Sequence, residues 1–191
     1  IRLSLVGSEM CIRDRKEFQR ALELNPKLPG ANAYMAKALR EMGRVDEAFK
    51  YSERELEINP NDFESHLYVG AYHAKREQRY EEALGHFERC LQIRPAAVEA
   101  RFQVATVYLL QGRLEEALEI AEKVVEEAPD FLEAHVTLTS LYYRMRRRED
   151  AERHRAIVER LRVEKDKSTL KKSSPEVKQN EAFPEEREPL R

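Results

Sequence analysis

The sequence contains no tryptophan, only two cysteines and only six glycines in 191 residues. Cys11 and Cys90 lie 79 positions apart and supply neither a disulfide framework nor the paired spacing of a metal site. Glycines this few and scattered do not build a phosphate-cradling loop. No apolar run approaches the ~20 residues that a membrane-crossing helix needs. A dominant charge sign is missing too. Lys and Arg number 34 against 36 Asp and Glu, so a formal charge of −2 draws the chain toward neither nucleic acid nor an anionic membrane. What is present is 41% hydrophobic and 37% charged, the mixture of a soluble helical protein with a modest core.

The first fifteen residues stand apart. The run from Leu3 to Ile12 is too short for an export signal, is broken by Glu9, and precedes no Ala-x-Ala cleavage site. Leu5 to Asp14 instead resembles a translated transposase-end adapter from shotgun library preparation, over ten consecutive codons. A natural N-terminal strand or helix is the alternative. On the adapter reading, residues 1–15 are set aside, the native start lies upstream of Lys16, and Cys90 is the cysteine that counts. The compartment then stays open between cytoplasm and periplasm.

Several residue types recur with one shared period. Prolines at Pro26, Pro60, Pro95 and Pro129 are spaced 34, 35 and 34. Alanines preceded by an acid, Ala48, Ala83, Ala117 and Ala151, are spaced 35, 34 and 34. Nine residues after each proline stands Met35, Val69, Val104 or Leu138, each followed by a small residue: Ala36, Gly70, Ala105 or Thr139. The single insertion falls around Lys75 to Gln78, where a turn between helices can absorb it.

Within each period the apolar residues keep helical spacing. Val104, Val107 and Tyr108 form one stripe ahead of Gly112, and Leu114, Ala117, Leu118, Ala121, Val124 and Val125 form the next. The pattern predicts helix pairs at 29–42 with 45–58, 63–76 with 79–93, 98–111 with 114–127, and 132–145 with 148–165. A lone helix at 16–25 precedes them.

Period, small eighth residue, alanine at the twentieth position and proline at the thirty-second resemble the tetratricopeptide repeat, over roughly Lys16 to Lys165. The resemblance implies an all-α, right-handed superhelical solenoid of helix-turn-helix repeats. Its units are 29–62, 63–97, 98–131 and 132–165, after a truncated repeat at 16–28 whose alanine slot falls on Asp14. The family's tryptophan slot holds Asn32, His66, Arg101 and His135, and its tyrosine slot Leu39, His73, Tyr108 and Tyr142. Ser52 and Glu55 stand where the family places a large apolar residue and an alanine, which predicts looser packing in the first complete unit. Stability of such an array comes from neighbouring hairpins sharing apolar stripes that neither can bury alone. A bulky residue at Gly70 or Ala117 is expected to overpack the seam, at ~1–3 kcal/mol. The polar face of Arg153, Arg155, Glu159 and Arg160 suits the end of a stack. Residues 166–191 read as a disordered charged tail, with Phe183 as the one candidate docking point in it.

Catalytic chemistry finds no footing. His66, His73, His86, His135 and His154 form no recognised ligand spacing, and His66 and His135 read as helix-packing residues. Cys90 occupies a small core slot. Pairs such as Glu81-Glu82 and Glu115-Glu116 start second helices, where the helix dipole favours acids. Arg144, Arg146, Arg147 and Arg148 form a short basic run, but Glu149 and Asp150 follow at once and no basic stripe continues it. No catalytic residue, cofactor or metal is expected.

The resemblance further implies a groove lined by the first helix of each pair. Its expected contacts are Lys37, Arg40, Leu67, Phe102, Leu109, Val136 and Tyr143, with an apolar middle and a basic N-terminal edge. A protein or peptide segment with apolar anchors and an acidic end would fit, with nucleic acid not expected and oligomeric state open. The carboxylate-clamp positions of chaperone-binding members read Ala33, Lys37, Tyr68, Glu99 and Gln103, which argues against that clamp. The function implied is a non-catalytic interaction scaffold. The alternative is the regulatory or substrate-recruiting region of a larger enzyme, such as a glycosyltransferase or kinase.

Overall fold

A computed structural model describes residues 17–173, with side chains to residue 169; the adapter-like stretch and the segment around Phe183 lie outside the described residues. The chain divides into two compact units, Ile1–Pro129 and Asp130–Arg191. Among the described residues all regular structure is helical. The first unit holds α1 (17–24), α2 (Ala31–Glu41), α3 (Val45–Ile58), α4 (Phe63–Tyr72), a π-helical turn (His73–Glu77), α5 (Tyr80–Ile93), α6 (Val98–Leu110) and α7 (Leu114–Glu127). The second holds α8 (Leu132–Arg144) and α9 (Arg148–Ser173).

In the first unit α2 packs on α3, α4 on α5 and α6 on α7, and the hairpins join through α3 against α4 and α5 against α6. The second unit is the hairpin of α8 and α9. Three hairpin turns share one chemistry. Gly43, Gly112 and Arg146 take left-handed φ values of 74°, 78° and 60°. The next residue then donates its amide five residues back, Arg44 to Leu39 O at 2.9 Å, Arg113 to Tyr108 O at 2.9 Å and Arg147 to Tyr142 O at 2.8 Å. These are Schellman closures, which satisfy carbonyls at the end of the first helix. In the remaining turn Gln78 is left-handed (φ 55°) and Arg79 donates six residues back, to His73 O at 3.0 Å. The extra residue is taken up by widening the last turn of helix into π geometry, the usual way a helix accommodates one.

The same four arginines repeat a second contact. Arg44 pairs with Glu47 at 2.6 Å, Arg79 with Glu82 at 3.0 Å, Arg113 with Glu116, and Arg147 with Asp150 at 2.7 Å. The acids in the first turns of the second helices therefore meet a guanidinium as well as the helix dipole. These pairs are exposed, and each adds only ~0–1 kcal/mol.

Ala48, Ala83 and Ala117 in the first unit and Ala151 in the second are fully buried. One core cluster joins Met35, Ala36, Leu39 and Ala48, and Phe18 and Leu22 of α1 pack against it. A second joins Phe63, Cys90, Ala97 and Ala100, and a third Ala74, Ala83, Phe87 and Val107.

Two expectations are corrected. Glu55 is fully buried, and its carboxylate accepts from the amides of Gly30 (2.7 Å) and Ala33 (3.4 Å), so the acid leaves no loose slot but closes the start of α2. Helix α9 continues eight residues past 165, to Ser173, where a disordered tail was expected. Its side chains from Arg162 to Thr169 are exposed, so burial does not hold it. Lys165, Lys167, Lys171 and Lys172 form helix readily, Arg160 reaches Glu164 at 4.0 Å, and Thr169 Oγ bonds Lys165 O at 2.9 Å.

Candidate partner-binding groove

Gly30, in left-handed conformation (φ 82°), starts α2 without a side-chain cap of its own, and Glu55 supplies that cap from α3. The arrangement orients Tyr34, Lys37 and Arg40 of α2 toward α4. Here they line a cleft of about 440 Å³, with Ala33 and Ser52 on one side and Asp62, Glu64, Ser65 and Tyr68 on the other. Asp62 holds the start of α4 by accepting from the Ser65 amide at 2.8 Å. The Arg40 guanidinium lies over the Tyr68 ring, 5.3 Å from its centroid. The Tyr68 hydroxyl donates to Val45 O at 3.1 Å, and burial raises its pKa. At the rim, Tyr34 is exposed and stacks on Phe18 with centroids 5.0 Å apart. Lys37 is exposed and makes no ion pair with any described residue, while Ser65 Oγ is buried without a hydrogen-bond partner.

Lys37 and Arg40 are thus brought together on one cleft. Leu67 on α4 and Phe102 and Leu109 on α6 are half-buried and lie outside the residues lining this cleft; Leu67 packs against two of the core clusters. Val136 and Tyr143 lie on α8 in the second unit, each 42% exposed, and the Tyr143 hydroxyl donates to the Glu152 carboxylate. Sequence reasoning missed the acids Asp62 and Glu64 on the facing wall, so the cleft carries both charges. The two rows of acids and bases sit on helices whose contact depends on the fold, and no local spacing announces them. Ser52 and Glu55, out of place for the repeat, were the nearest signal.

Other candidate groups have structural partners. Cys90 is fully buried, its thiol 3.6 Å from Phe63 O, and burial pushes its pKa up to about 12. Arg147 lies over the Tyr142 ring at 4.6 Å, as Arg113 does over Tyr108 at 4.2 Å, so the basic run is partly engaged with its own hairpin. Among the described residues no three His, Cys, Asp or Glu side chains are grouped to hold a metal ion, and no helix is long and apolar enough to cross a membrane.

The model of the tetratricopeptide repeat matches residues 74–131 and 108–156. Residues 74–156 thus match the tetratricopeptide repeat. Across 142 residues, 74% of its length, the chain is 27% identical to anaphase-promoting complex subunit 3 of Schizosaccharomyces pombe, and it spans about a fifth (21%) of that relative. Its fold resembles that of MamA (residues 41 to the end) from Desulfovibrio magneticus RS-1, with a TM-score of 0.67, 23% identity, and coverage of 86% of this chain and 96% of that one. It also resembles YrrB, a tetratricopeptide-repeat protein described as having an unusual peptide-binding site, with a TM-score of 0.63, 22% identity and coverage of 91% and 90%. At these identities the tetratricopeptide structures speak to the all-helical solenoid fold alone.

Proposed function

We propose that this chain is a non-catalytic protein-interaction scaffold that docks a protein segment along the first helices of its tetratricopeptide hairpins. Lys37, Arg40, Leu67, Phe102 and Leu109 would provide contacts in the first unit, and Val136 and Tyr143 in the second. The observation that carries this reading is the cleft between α2 and α4, in which an unpaired lysine, an arginine-capped tyrosine ring and a buried hydroxyl without a partner surround about 440 Å³. Such a mixture of apolar surface and convergent polar groups is what peptide recognition uses. An acidic side chain fits beside Lys37, and a polar or basic one beside Asp62 and Glu64.

The test is selection of binding peptides from a displayed random library, followed by titration of the best binder against variants. Lys37→Glu and Phe102→Asp should each weaken binding about tenfold or more, equal to ~1.4 kcal/mol, with circular dichroism unchanged. Undiminished binding to both folded variants would remove the groove. The alternative role, recruiting substrate to a larger enzyme, would use the same contacts and differ only in what adjoins them.

A further inference from the structure

We propose that His66 and His86 form a proton-operated latch, which closes the α4–α5 hairpin at neutral pH and releases it on acidification. Their Nδ1 atoms face each other at 2.9 Å, and the His66 Nε2 lies 3.0 Å from Pro60 O. The carbonyl can only accept, so His66 Nε2 carries a hydrogen and, in the neutral ring, its Nδ1 carries the lone pair. His86 must then donate from Nδ1. The two rings thus take opposite tautomers, His66 protonated at Nε2 and His86 at Nδ1.

The alignment leaves little choice. A ring nitrogen lies about 1.1 Å from its ring centre, so nitrogens at hydrogen-bonding distance with head-on rings require centroids about 5.1 Å apart; the observed separation is 5.1 Å. A metal ion needing ~2.0–2.1 Å to each nitrogen does not fit on that line. One proton holds the pair together. With both rings fully protonated, two N–H groups would meet nose to nose and the hydrogen bond between α4 and α5 would become a repulsion.

The surroundings oppose that second charge. His66 from α4 and His73 from the π-helical turn face His86, with the His73 and His86 ring centroids 5.7 Å apart. The acid of that turn, Glu77, is taken by His73 Nδ1 at 2.7 Å and by Arg79. Burial first, then His66 and His73, lower the His86 pKa to about 4. The folded hairpin therefore binds fewer protons than the unfolded chain, whose histidines titrate near 6.5. Stability from this source is full above that pH and is lost as pH falls toward 4. The second unit repeats the contact. His135 on α8 and His154 on α9 again place Nδ1 against Nδ1 at 2.9 Å, with centroids 5.1 Å apart.

Histidine-labelled protein followed by NMR from pH 8 to pH 4 tests the latch without any substitution. The expected result is the Nε2–H tautomer at His66, the Nδ1–H tautomer at His86, and resistance of His86 to protonation until below pH 5. Mixed tautomers with His86 titrating near 6.5 would overturn the proposal. In parallel, the melting temperature should fall between pH 7 and pH 4.5, and in the variant His66→Phe/His86→Leu at least half of that fall should vanish. An undiminished fall would overturn it equally. Should the double variant not fold, His86→Asn keeps a donor at the Nδ1 position and removes the titration, and the same comparison applies.

Discussion

Gly70 on α4 lies so close to Phe87 on α5 that a Cβ placed on it would sit 2.7 Å from Phe87 Cε1, 3.0 Å from Cζ and 3.1 Å from the His86 Cβ. Phe87 is fully buried and cannot swing aside. The small residue at this point of the repeat is therefore a clearance, set by the ring opposite.

Gly70→Ala gains ~1 kcal/mol of helix propensity and loses ~1–3 kcal/mol to overpacking. The expected net result is a modest fall in stability, and Gly70→Val, with little propensity to gain, should lose more. Chemical denaturation at neutral pH measures both. Variants as stable as the parent would show that α4 and α5 separate without penalty.

Glu55 acts on another helix. Its carboxylate closes the first turn of α2 through Gly30 and Ala33. Glu55→Ala leaves half-buried amides without an acceptor and should cost ~1–3 kcal/mol, seen as faster hydrogen exchange in α2 before the rest of the first unit. Glu55→Gln, which keeps an acceptor oxygen, should recover much of this loss.

Arg146 holds a left-handed backbone (φ 60°) at the position where the turns after α2 and α6 use Gly43 and Gly112. A side chain in that conformation costs ~1–2 kcal/mol, which glycine avoids. Arg146→Gly should raise the stability of the α8–α9 hairpin, less a part for glycine's freedom in the unfolded chain. A lower melting temperature would mean that the Arg146 side chain contributes more than its backbone strain removes.

Cys90 should be inert while the protein is folded. The thiolate is the reactive form, and burial has moved its pKa up to about 12, so native protein at pH 8 holds almost none. Peptide-resolved alkylation followed by mass spectrometry should show Cys90 modified only in denaturant. Prompt modification of the native protein would mean that the α4–α5 hairpin opens far more often than its burial implies.

Periodic residues were the legible part of this chain. Ala48, Ala83, Ala117 and Ala151 announced sites of close helix approach, and each is fully buried. Such positions obey a local rule, because every unit solves the same packing problem. Glu55 follows no such rule: its ligands are amides 22 and 25 residues away, and only the folded hairpin brings them together. The histidine pairs were hidden for the same reason. His66 and His86 are twenty positions apart and each, taken alone, passes for a packing residue. At the candidate groove, Lys37 and Arg40 were named because the repeat resemblance assigns their positions to it, whereas no repeat position pointed to Asp62 and Glu64 on the facing wall. The continuation of α9 past 165 escaped because an exposed helix needs only propensity and spaced ion pairs, and the burial pattern used to place helices is silent about both.

The wide turn at His73–Glu77 has a consequence for how this array can change its length. An added residue inside a regular helix rotates everything beyond it by about 100° and would turn the next apolar stripe away from its neighbour. Here the surplus is spent before α5 begins: one amide reaches a carbonyl a single position further back, and the downstream hairpins keep step. The one extra residue is thus confined to a spot where the coil can bulge without putting α5 to α7 out of phase.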